Sequence, residues 1–558
     1  MTEDMRGFLA AGNMNIECLG QYADMGRCRQ YNHLLNKFQN DQVFLDEDGQ
    51  ISFLCGYVHN KEHFCRGGDG DWQHAFTQAM KKDAVKCLCT LRGGFCGYIY
   101  NRQDAGLTAY TDQISVKTLY YYADDDRWMV SNHISYMTSV LKANGIRYHF
   151  NETAAKYMLT YGYMLDDSTF VKEIHRLLPG QLVRIKNGSV EVERYYMIPN
   201  REVRISEQEA VERIDSAFRE AVRREFEKER EYGYRHLVDL SGGLDSRMVS
   251  WVAHDMGYTD QLNVTYCRLG YLDEKIAGRI ADYLGHEYLF KSLDDIAWMY
   301  DIDEIILRNN GASLYTGITG GDRLLKTLDT SQFGIEHTGM IGDAVLSTFY
   351  HDREFNYGPP RLGFHRYSER LSYTWSDEMT REYPCQEMFA VYTRGILGAQ
   401  SSYMIRQHYV ETSSPFMDVD FLEMVFSLPF SYRNRHHIYL KWMLQKYPGA
   451  TQFGWEKWGG IKPREDQIFL RKVKTLQRLL GQTVSRTFKM PDNDNMNPLD
   501  FWYRGNSGIQ AYYREYFESN RDRIGGELGR DITLMFEAGN VTEKSMALTV
   551  LGAAKLYF

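Results

Sequence analysis

Long apolar runs are missing from this 558-residue chain. No stretch approaches the roughly 18 consecutive apolar residues that a membrane-spanning helix needs, so we expect no membrane span. The opening "MTEDMRGFLAAGN" also lacks the basic start and following apolar run of a secretory signal. Both absences favour a cytoplasmic protein.

Cysteine pairs and a surplus of basic residues are missing as well. Seven of the nine cysteines precede position 100, yet none forms a C-x-x-C pair. We therefore predict buried free thiols in a reducing compartment rather than a metal site. The formal net charge is −9. Because nucleic-acid binding depends on basic contacts to phosphates, this charge disfavours DNA or RNA as a partner.

The first part of the chain, residues 1–198, has the pattern of a β-rich layered domain. Short runs rich in Tyr, Val and Phe alternate with Gly, Asn and Asp. The stretch Lys186-Asn187-Gly188-Ser189 lies between two alternating runs and predicts a hairpin. A chain of this length exceeds one ordinary core, so at least one further domain is expected.

From residue 207 to 558 the pattern changes to strands alternating with helices. An apolar stripe at helical spacing predicts an amphipathic helix over 207–231 with a solvated charged face; its members are Val211, Ile214, Phe218, Val222 and Phe226. The runs "RHLVDL", "QLNVTYC" and "HEYLFKSL" follow, separated by helical segments. This order predicts an α/β fold with a doubly wound parallel sheet, followed by helical additions beyond about 300. The boundary is expected near 198–207.

The hexapeptide "SGGLDS", Ser241–Ser246, lies between the first of these strands and a helix. Gly242 and Gly243 leave room for a phosphate at the head of the helix, where free N–H groups and the helix dipole favour an anion. Ser241 and Ser246 add hydroxyl donors, and Asp245 adds a hard oxygen ligand for Mg²⁺. No G-x-x-x-x-G-K-[ST] motif occurs, so a γ-phosphate-transferring loop is not supported.

The hexapeptide resembles the pyrophosphate-binding loop of the ATP pyrophosphatase superfamily, and other segments resemble its asparagine synthetase family in order. The N-terminal segments imply a glutaminase-like, Ntn-type domain; they are "FLCGYVHN", "LRGGFCGYIYN", "YTDQISVKTLYYY" and "VKEIHRLLPGQLVRI". The later segments imply an ATP pyrophosphatase domain; they are "YLDEKIAGRIADYLGHEY", "TGMIGDAVLSTFY" and "SSPFMDVDFLEMVFSLPF".

Three departures from the family pattern bear on the chemistry. Arg6 stands where glutamine-using members carry their N-terminal nucleophilic cysteine, and Cys55 replaces the oxyanion-stabilising asparagine. We therefore expect residues 1–198 to have lost glutaminase activity, as in the β-lactam synthetases and lasso-peptide cyclases. Met340 stands where the family carries a Glu or Tyr that helps to activate the amine. Replacement bases considered are Glu336, His337 and Glu411.

The resemblance also implies the remaining site residues. Asp245 and Asp343 would hold Mg²⁺, and adenine of ATP would contact Leu240 and the main chain of Val264, Thr265 and Tyr266. A cation in "GWEKWGGIKPRE" would neutralise the reacting phosphates, with Lys457 preferred to Lys462. Asp239, which is unusual in a buried strand, is expected to pair with an arginine.

The sequence thus predicts an ATP-dependent, AMP-forming ligase that adenylates a small-molecule or peptide carboxylate and transfers it to an amine donor. The donor could be ammonia, as in asparagine biosynthesis, or an amine of the substrate, as in intramolecular cyclases. A non-catalytic nucleotide-binding scaffold and a tRNA-modifying enzyme are the alternatives, the latter disfavoured by net charge. The acceptor's identity and the oligomeric state, including a homodimer, stay open.

Overall fold

Two stacked antiparallel sheets form the first part of the chain in the computed structural model, which describes residues 5–65, 71–317, 320–465 and 495–558. The first sheet has the order β10-β8-β9-β1-β3-β2 and the second β12-β11-β7-β6-β5-β4. Their strands are β1 Gly7–Gly12, β2 Ala23–Asp24, β3 Cys28–His33, β4 Val43–Glu47, β5 Gln50–Val58, β6 Gly93–Asn101, β7 Gly106–Thr111, β8 Tyr120–Asp124, β9 Arg127–Ser131, β10 His175–Arg176, β11 Gln181–Lys186 and β12 Ser189–Arg194. Side chains from both sheets, such as Phe8 and Phe53, share one buried core.

Helices cover the outer faces of both sheets, which gives the predicted layered domain four layers. Helices α1 Trp72–Lys82 and α2 Ala84–Thr90 pack on the second sheet, whereas α3 Ile134–Ala143 and α4 Glu152–Tyr161 pack on the first. The predicted hairpin is confirmed, since Lys186 pairs with Ser189. Asn187 and Gly188 have φ values of 50° and 76°, as a two-residue hairpin turn requires.

Helix α5 connects the two parts and spans Glu207–Glu231, the whole of the predicted amphipathic segment. Ser206 caps it by accepting a hydrogen bond from the Glu209 N–H at 3.1 Å. Its apolar stripe is fully buried, as predicted. The predicted solvated face is wrong near the C-terminal end, where Glu225, Lys228 and Glu229 are also buried.

A five-stranded parallel sheet follows, with the order β15-β14-β13-β16-β17. Its strands are β13 Arg235–Asp239, β14 Gln261–Cys267, β15 Glu287–Ser292, β16 Phe333–His337 and β17 Glu411–Ser413. Helices α6 Asp245–Asp255 and α7 Leu272–Leu284 connect its first three strands. The order runs outward from β13 in both directions, so the sheet is doubly wound and a crevice opens at the C-terminal ends of its central strands.

Apart from β16 and β17, the described residues after β15 are mainly helical, and the helices given next are those of the described residues. The remaining α-helices are α8 Ile302–Asn309, α9 Gly320–Leu325, α10 Gly342–Val345, α11 Arg353–Tyr357, α12 Gln386–Ala390, α13 Val419–Phe426, α14 Phe430–Arg433, α15 His437–Lys446, α16 Leu499–Gly505, α17 Ser507–Asn520, α18 Gly526–Ala538 and α19 Val541–Tyr557. Among the described residues, no helix combines the length and apolar character needed to cross a bilayer.

The C-terminal helices pack against the first part of the chain rather than standing apart from it. Leu9 and Met158 lie in one buried core with Ile306, Leu548 and Leu551. Between β12 and α5, residues 195–206 form no helix or strand. The predicted boundary near 198–207 falls in this connecting segment, although the two parts share a core.

A buried ionic network fastens α5 to the parallel sheet. The His337 ring lies 2.9 Å from Glu225 Oε2 and 2.7 Å from Glu229 Oε2, and His236 Nδ1 lies 2.6 Å from the same Glu229 oxygen. Burial opposes a charged ring, but Glu229 and Glu225 raise the pKa of His337 to about 9. His337 is therefore a cation at neutral pH, held between two carboxylates.

Replacing this cation is expected to destabilise the protein in a pH-dependent way. The His337→Gln variant should lose about 3 kcal/mol of unfolding free energy at pH 7, because two buried carboxylates lose their charged partner. The folded-state pKa lies above the ordinary value, so the contribution is complete below about 6.5 and is lost as pH rises through about 9. Urea unfolding of the variant and the wild type at pH 7 and 9.5 measures this convergence.

The matched control is His63→Gln at an exposed histidine, which should leave stability within about 0.5 kcal/mol at both pH values. A stability difference for His337→Gln that does not change between pH 7 and 9.5 would mean that the wild-type ring is neutral.

Candidate functional site

The hexapeptide Ser241–Ser246 forms a closed loop at the C-terminal end of β13, the central strand of the parallel sheet. Ser246 Oγ accepts a hydrogen bond from the Ser241 N–H at 3.0 Å and lies 3.0 Å from Ser241 Oγ. Ser241 Oγ in turn accepts one from the Gly243 N–H at 3.1 Å. The two serines thus fix the loop where α6 begins, and their predicted role as hydroxyl donors to a phosphate stays a prediction.

A cleft of about 380 Å³ opens beside this loop. Its lining includes every predicted nucleotide-binding residue except Gly242, namely Leu240, Ser241, Gly243, Asp245, Ser246, Val264, Thr265 and Tyr266. The end of β13 is joined to β14 beside the cleft, where the Leu240 N–H donates to the Val264 carbonyl at 2.9 Å. Thr265 Oγ1 donates back to the Leu240 carbonyl at 2.5 Å.

Gly242 instead presents its N–H to a carboxylate. The Gly242 N–H donates to Asp273 Oδ1 at 2.6 Å. Burial and the nearby Glu456 carboxylate raise the pKa of Asp273 to about 6. The loop amide therefore already binds an acidic oxygen inside the cleft, as expected of an N–H group at the head of a helix.

A second loop, after β16, brings Asp343 to Asp245. Asp245 Oδ2 accepts a hydrogen bond from the Asp343 N–H at 2.9 Å, and Asp245 Oδ1 accepts one from Tyr439 Oη at 2.8 Å. This approach requires glycines. A Cβ on Gly342 would lie 2.6 Å from Asp245 Cγ, and one on Gly339 would lie 2.2 Å from the Ser246 amide nitrogen.

The carboxylates of Asp245 and Asp343 lie close enough together to repel each other when both are ionised. Burial and the Asp343 charge raise the pKa of Asp245 to about 7, while Tyr439, the Asp343 N–H and Lys457 act in the opposite direction. Asp343 is more open, with 56% of its side chain exposed. Asp245 lines the cleft and Asp343 does not, although its N–H contacts Asp245; two neighbouring carboxylates are ligands of the type that Mg²⁺ prefers.

Of the two predicted lysines, only Lys457 reaches these carboxylates. Lys457 Nζ lies 3.6 Å from Asp343 Oδ2. Lys462 Nζ instead donates to Gln452 Oε1 at 3.1 Å on an exposed surface. The segment that carries Lys457 is anchored to the glycine loop, since the Glu456 N–H donates to the Gly242 carbonyl at 3.0 Å.

Comparison with known proteins finds similarity to glutamine amidotransferase domains and to asparagine synthetases. A family model for the glutamine amidotransferase domain matches residues 65–196. The chain is 23% identical over 219 residues to the glutamine-hydrolyzing asparagine synthetase 1 of Bacillus subtilis (strain 168), covering 39% of this chain and 33% of that protein. It is 22% identical over 264 residues to the provisionally named glutamine-hydrolyzing asparagine synthetase 2 of Methanocaldococcus jannaschii, covering 44% and 50%.

These findings make the chain similar, over part of its length, to asparagine synthetases. It spans a third to a half of the length of these two relatives. Among solved structures, the glutamine phosphoribosylpyrophosphate amidotransferase of B. subtilis with ADP and GMP covers 51% of this chain and 60% of its own, at 11% identity and a TM-score of 0.22.

Arg6, at the position of the expected nucleophile, immediately precedes β1 and lines a small cavity of about 50 Å³ together with Cys55 and Lys117. The Cys55 thiol lies 3.5 Å from Cys96 Sγ on the neighbouring strand. Cys18, the thiol nearest to Arg6 in the sequence, is exposed in a short 3₁₀ helix over Glu17–Leu19. In the described part of the chain, all nine cysteines are free, as predicted, although Cys18 is exposed and Cys65 and Cys89 are partly exposed.

The three replacement bases considered in place of Met340 lie outside the cleft lining. Met340 itself lines the cleft. His337 belongs to the ionic network under the sheet, and Glu411 pairs with Lys117 at 2.5 Å. Glu336 lies 3.0 Å from Arg406 Nη1, and burial together with Asp239 holds the pKa of its carboxyl well above its usual range.

Asp239 pairs with an arginine, as predicted. Arg406 Nη1 lies 3.1 Å from Asp239 Oδ2, and the Arg406 side chain is fully buried. Sequence reasoning missed Arg406, Tyr439 and Asp273 as neighbours of the loop. Tyr439 lies 194 residues from Asp245 in the chain, so no local pattern could indicate the contact.

The close approach of the two loops predicts a stability defect for Gly342→Ala. The added methyl group would meet the Asp245 carboxyl group at 2.6 Å, which is too short for a real contact. We expect a loss of about 1–3 kcal/mol, as in other overpacked sites, measured by urea unfolding followed by circular dichroism.

Gly505→Ala is the matched control, because a Cβ there meets nothing within 4 Å. Gly505 ends helix α16, so alanine should be neutral or slightly stabilising. Equal stability of the two variants would show that the loops separate easily.

Proposed function

We propose that this protein is an ATP-dependent, AMP-forming amide ligase. In this proposal it adenylates a substrate carboxylate and passes the acyl group to an amine. The observation that carries the proposal is that the Ser241–Ser246 loop lines the cleft with Asp245, which accepts the Asp343 N–H, and that Lys457 Nζ lies 3.6 Å from Asp343. The broad relationship to asparagine synthetases agrees with it.

The residues present fit a magnesium nucleotide. Asp245 and Asp343 offer hard oxygens within one site, and a cation there would offset the burial and the Asp343 repulsion that together raise the pKa of Asp245. The Gly242 N–H is already bound to an acidic oxygen at 2.6 Å, so the loop favours an anionic acceptor. Leu240 and Val264–Tyr266 provide the floor against which adenine would lie.

Each side chain would then have a distinct task. Asp245 and Asp343 would hold Mg²⁺, which would supply charge neutralisation for the triphosphate. The loop N–H and serine hydroxyl groups orient the phosphates so that the α-phosphorus faces the carboxylate. Lys457, on the open side, stabilises the charge that develops on the leaving pyrophosphate.

In this proposal the first part of the chain no longer hydrolyses glutamine. Arg6 occupies the place of the nucleophile, and the thiol that lines the adjacent cavity, Cys55, is buried within the sheet next to Cys96. The hydrogen bond between the Cys96 and Cys55 thiols, together with burial, holds the pKa of Cys96 well above its usual range, so that thiol stays protonated. The amine would come from ammonia or from the substrate itself.

Carboxylate-dependent exchange of labelled pyrophosphate into ATP tests the proposal. The full chain is incubated with Mg·ATP and a panel of amino acids, sugar acids and peptides. We expect exchange that requires both magnesium and one class of carboxylate, with AMP rather than ADP as the product. If ammonia is the amine donor, ammonium should support amide formation. If the substrate carries the amine, no ammonium should be needed. In both cases glutamine should yield no glutamate.

Two results would contradict the proposal. Release of ADP would indicate γ-phosphate transfer and contradict the assignment of the α-phosphorus. Tight ATP binding without exchange across the whole panel would indicate a nucleotide-binding scaffold, an alternative that Met340 in the cleft already suggests.

A further inference from the structure

A buried arginine links the glycine loop to the segment that carries Lys457. Arg247 directly follows the hexapeptide and is fully buried. Its Nη1 donates to the carbonyl oxygens of Ala450 and Phe453, at 3.0 and 3.3 Å. Its Nη2 donates to the Gly242 carbonyl at 3.1 Å and to the Gly454 carbonyl. One guanidinium group therefore bridges the loop and the segment 450–454.

Glu456, two residues beyond the segment 450–454 and adjacent to Lys457, makes a second contact with the loop. The Gly242 carbonyl that Arg247 binds also accepts the Glu456 N–H at 3.0 Å. A Cβ on Gly242 would lie 2.8 Å from the Glu456 Cβ, so the two backbones are in direct contact. The position of Lys457 relative to Asp343 thus follows from how the segment 450–456 is docked.

Arg247 makes this bridge without a carboxylate partner in the part of the chain that the structure describes. Its named acceptors are neutral carbonyls, and burial lowers the pKa of its guanidinium to about 10, with Tyr439 acting in the opposite direction. The group therefore remains charged at neutral pH. A planar fork with several fixed donors can satisfy four carbonyls at once, whereas a lysine ammonium cannot span them.

We propose that Arg247 is a positioning residue, which holds the segment 450–456 against the glycine loop so that Lys457 is directed at the metal-binding carboxylates. This inference rests on the proposed function for its catalytic consequence. Its structural part, the docking of the segment, stands independently of which reaction the cleft performs.

The test compares Arg247→Lys with the wild type and with Arg176→Lys. Arg176 is 2% exposed, and burial lowers its pKa as well, so its replacement controls for loss of a buried guanidinium elsewhere. Arg247→Lys should lower kcat for pyrophosphate exchange by about 10- to 100-fold, since small misplacements of a catalytic group have effects of this size. The KM for ATP should change by less than about 3-fold.

A double-mutant cycle with Lys457→Ala separates positioning from a general structural effect. If Arg247 acts through Lys457, adding Arg247→Lys to Lys457→Ala should cost no more than about 2-fold further activity. Effects that multiply in the double variant would overturn the proposal. Circular dichroism and melting curves verify that each variant is folded.

Hydrogen exchange gives a readout that does not depend on turnover. In Arg247→Lys, the peptide covering residues 450–461 should exchange about 10-fold faster, with Arg176→Lys unchanged there. Unchanged protection of that peptide would refute the docking role. Faster exchange in a protein that shows no pyrophosphate exchange with any carboxylate would support Arg247 and reject the proposed function.

Discussion

Replacing Asp245 with asparagine is expected to lower carboxylate-dependent pyrophosphate exchange by about 10³-fold or more. Asp245 is the better enclosed of the two carboxylates and is fixed by Tyr439 and by the Asp343 N–H. An amide keeps the size of the side chain but loses the charge that a divalent cation needs. Metal-based charge stabilisation is worth several kcal/mol, and each 1.36 kcal/mol is tenfold in rate.

Asp282→Asn, on the exposed face of α7, is the matched control and should retain full activity. Both variants are assayed over a range of magnesium concentrations. Asp245→Asn should not reach the wild-type rate at any of them, because the defect lies in charge rather than in occupancy. Activity within about 5-fold of the wild type would remove Asp245 from the proposed metal site.

Lys457→Ala should lower kcat by about 10²- to 10³-fold, the size of effect seen when one donor to a developing charge is removed. The reason is its position, with Nζ at 3.6 Å from Asp343 Oδ2 on the open side of the site. Lys462→Ala should change kcat by less than about 3-fold, because its Nζ is engaged by Gln452 on the surface.

Initial-rate measurements with varied ATP distinguish the two lysines. A defect in Lys457→Ala that appears only in the KM for ATP would mean that Lys457 binds the ground state and does not stabilise the leaving group. A larger defect in Lys462→Ala than in Lys457→Ala would mean that the segment rearranges when nucleotide binds.

Local patterns predicted the elements that hold the site. The strand β13, the loop Ser241–Ser246 and the helix α6 follow in chain order, so their arrangement depends on neighbours in sequence. The length of α5 was predicted in the same way, from the helical spacing of its apolar residues. The parallel sheet followed from the alternation of strands and helices, because such connections place successive strands side by side.

Contacts between distant segments could not be predicted in this way. Arg247 is adjacent to the hexapeptide, but three of its four acceptors lie more than 200 residues away. A motif therefore indicates that the arginine is near the loop, and only the fold shows what it binds. The buried charges Glu225 and Glu229 were missed for a related reason, since a charged face predicts solvent unless its partner, here His337, is known.

The choice between the two lysines illustrates a third limit. Lys457 and Lys462 are five positions apart in a glycine-containing segment without long regular structure. Without a fixed period, spacing says nothing about which side chain faces the carboxylates. The decision depends on hydrogen bonds at Gly242 and Gln452, which no local pattern encodes.

The core shared by α3, α4 and the last helices has a consequence for how this protein could be shortened. Removing the first 198 residues would expose the apolar faces of α8 and α19 to water, at about 25 cal/mol for each Å² uncovered. We expect the half that carries the cleft to aggregate when produced alone. The first part of the chain is thus expected to be needed for the folding of the second, whatever chemistry it performs.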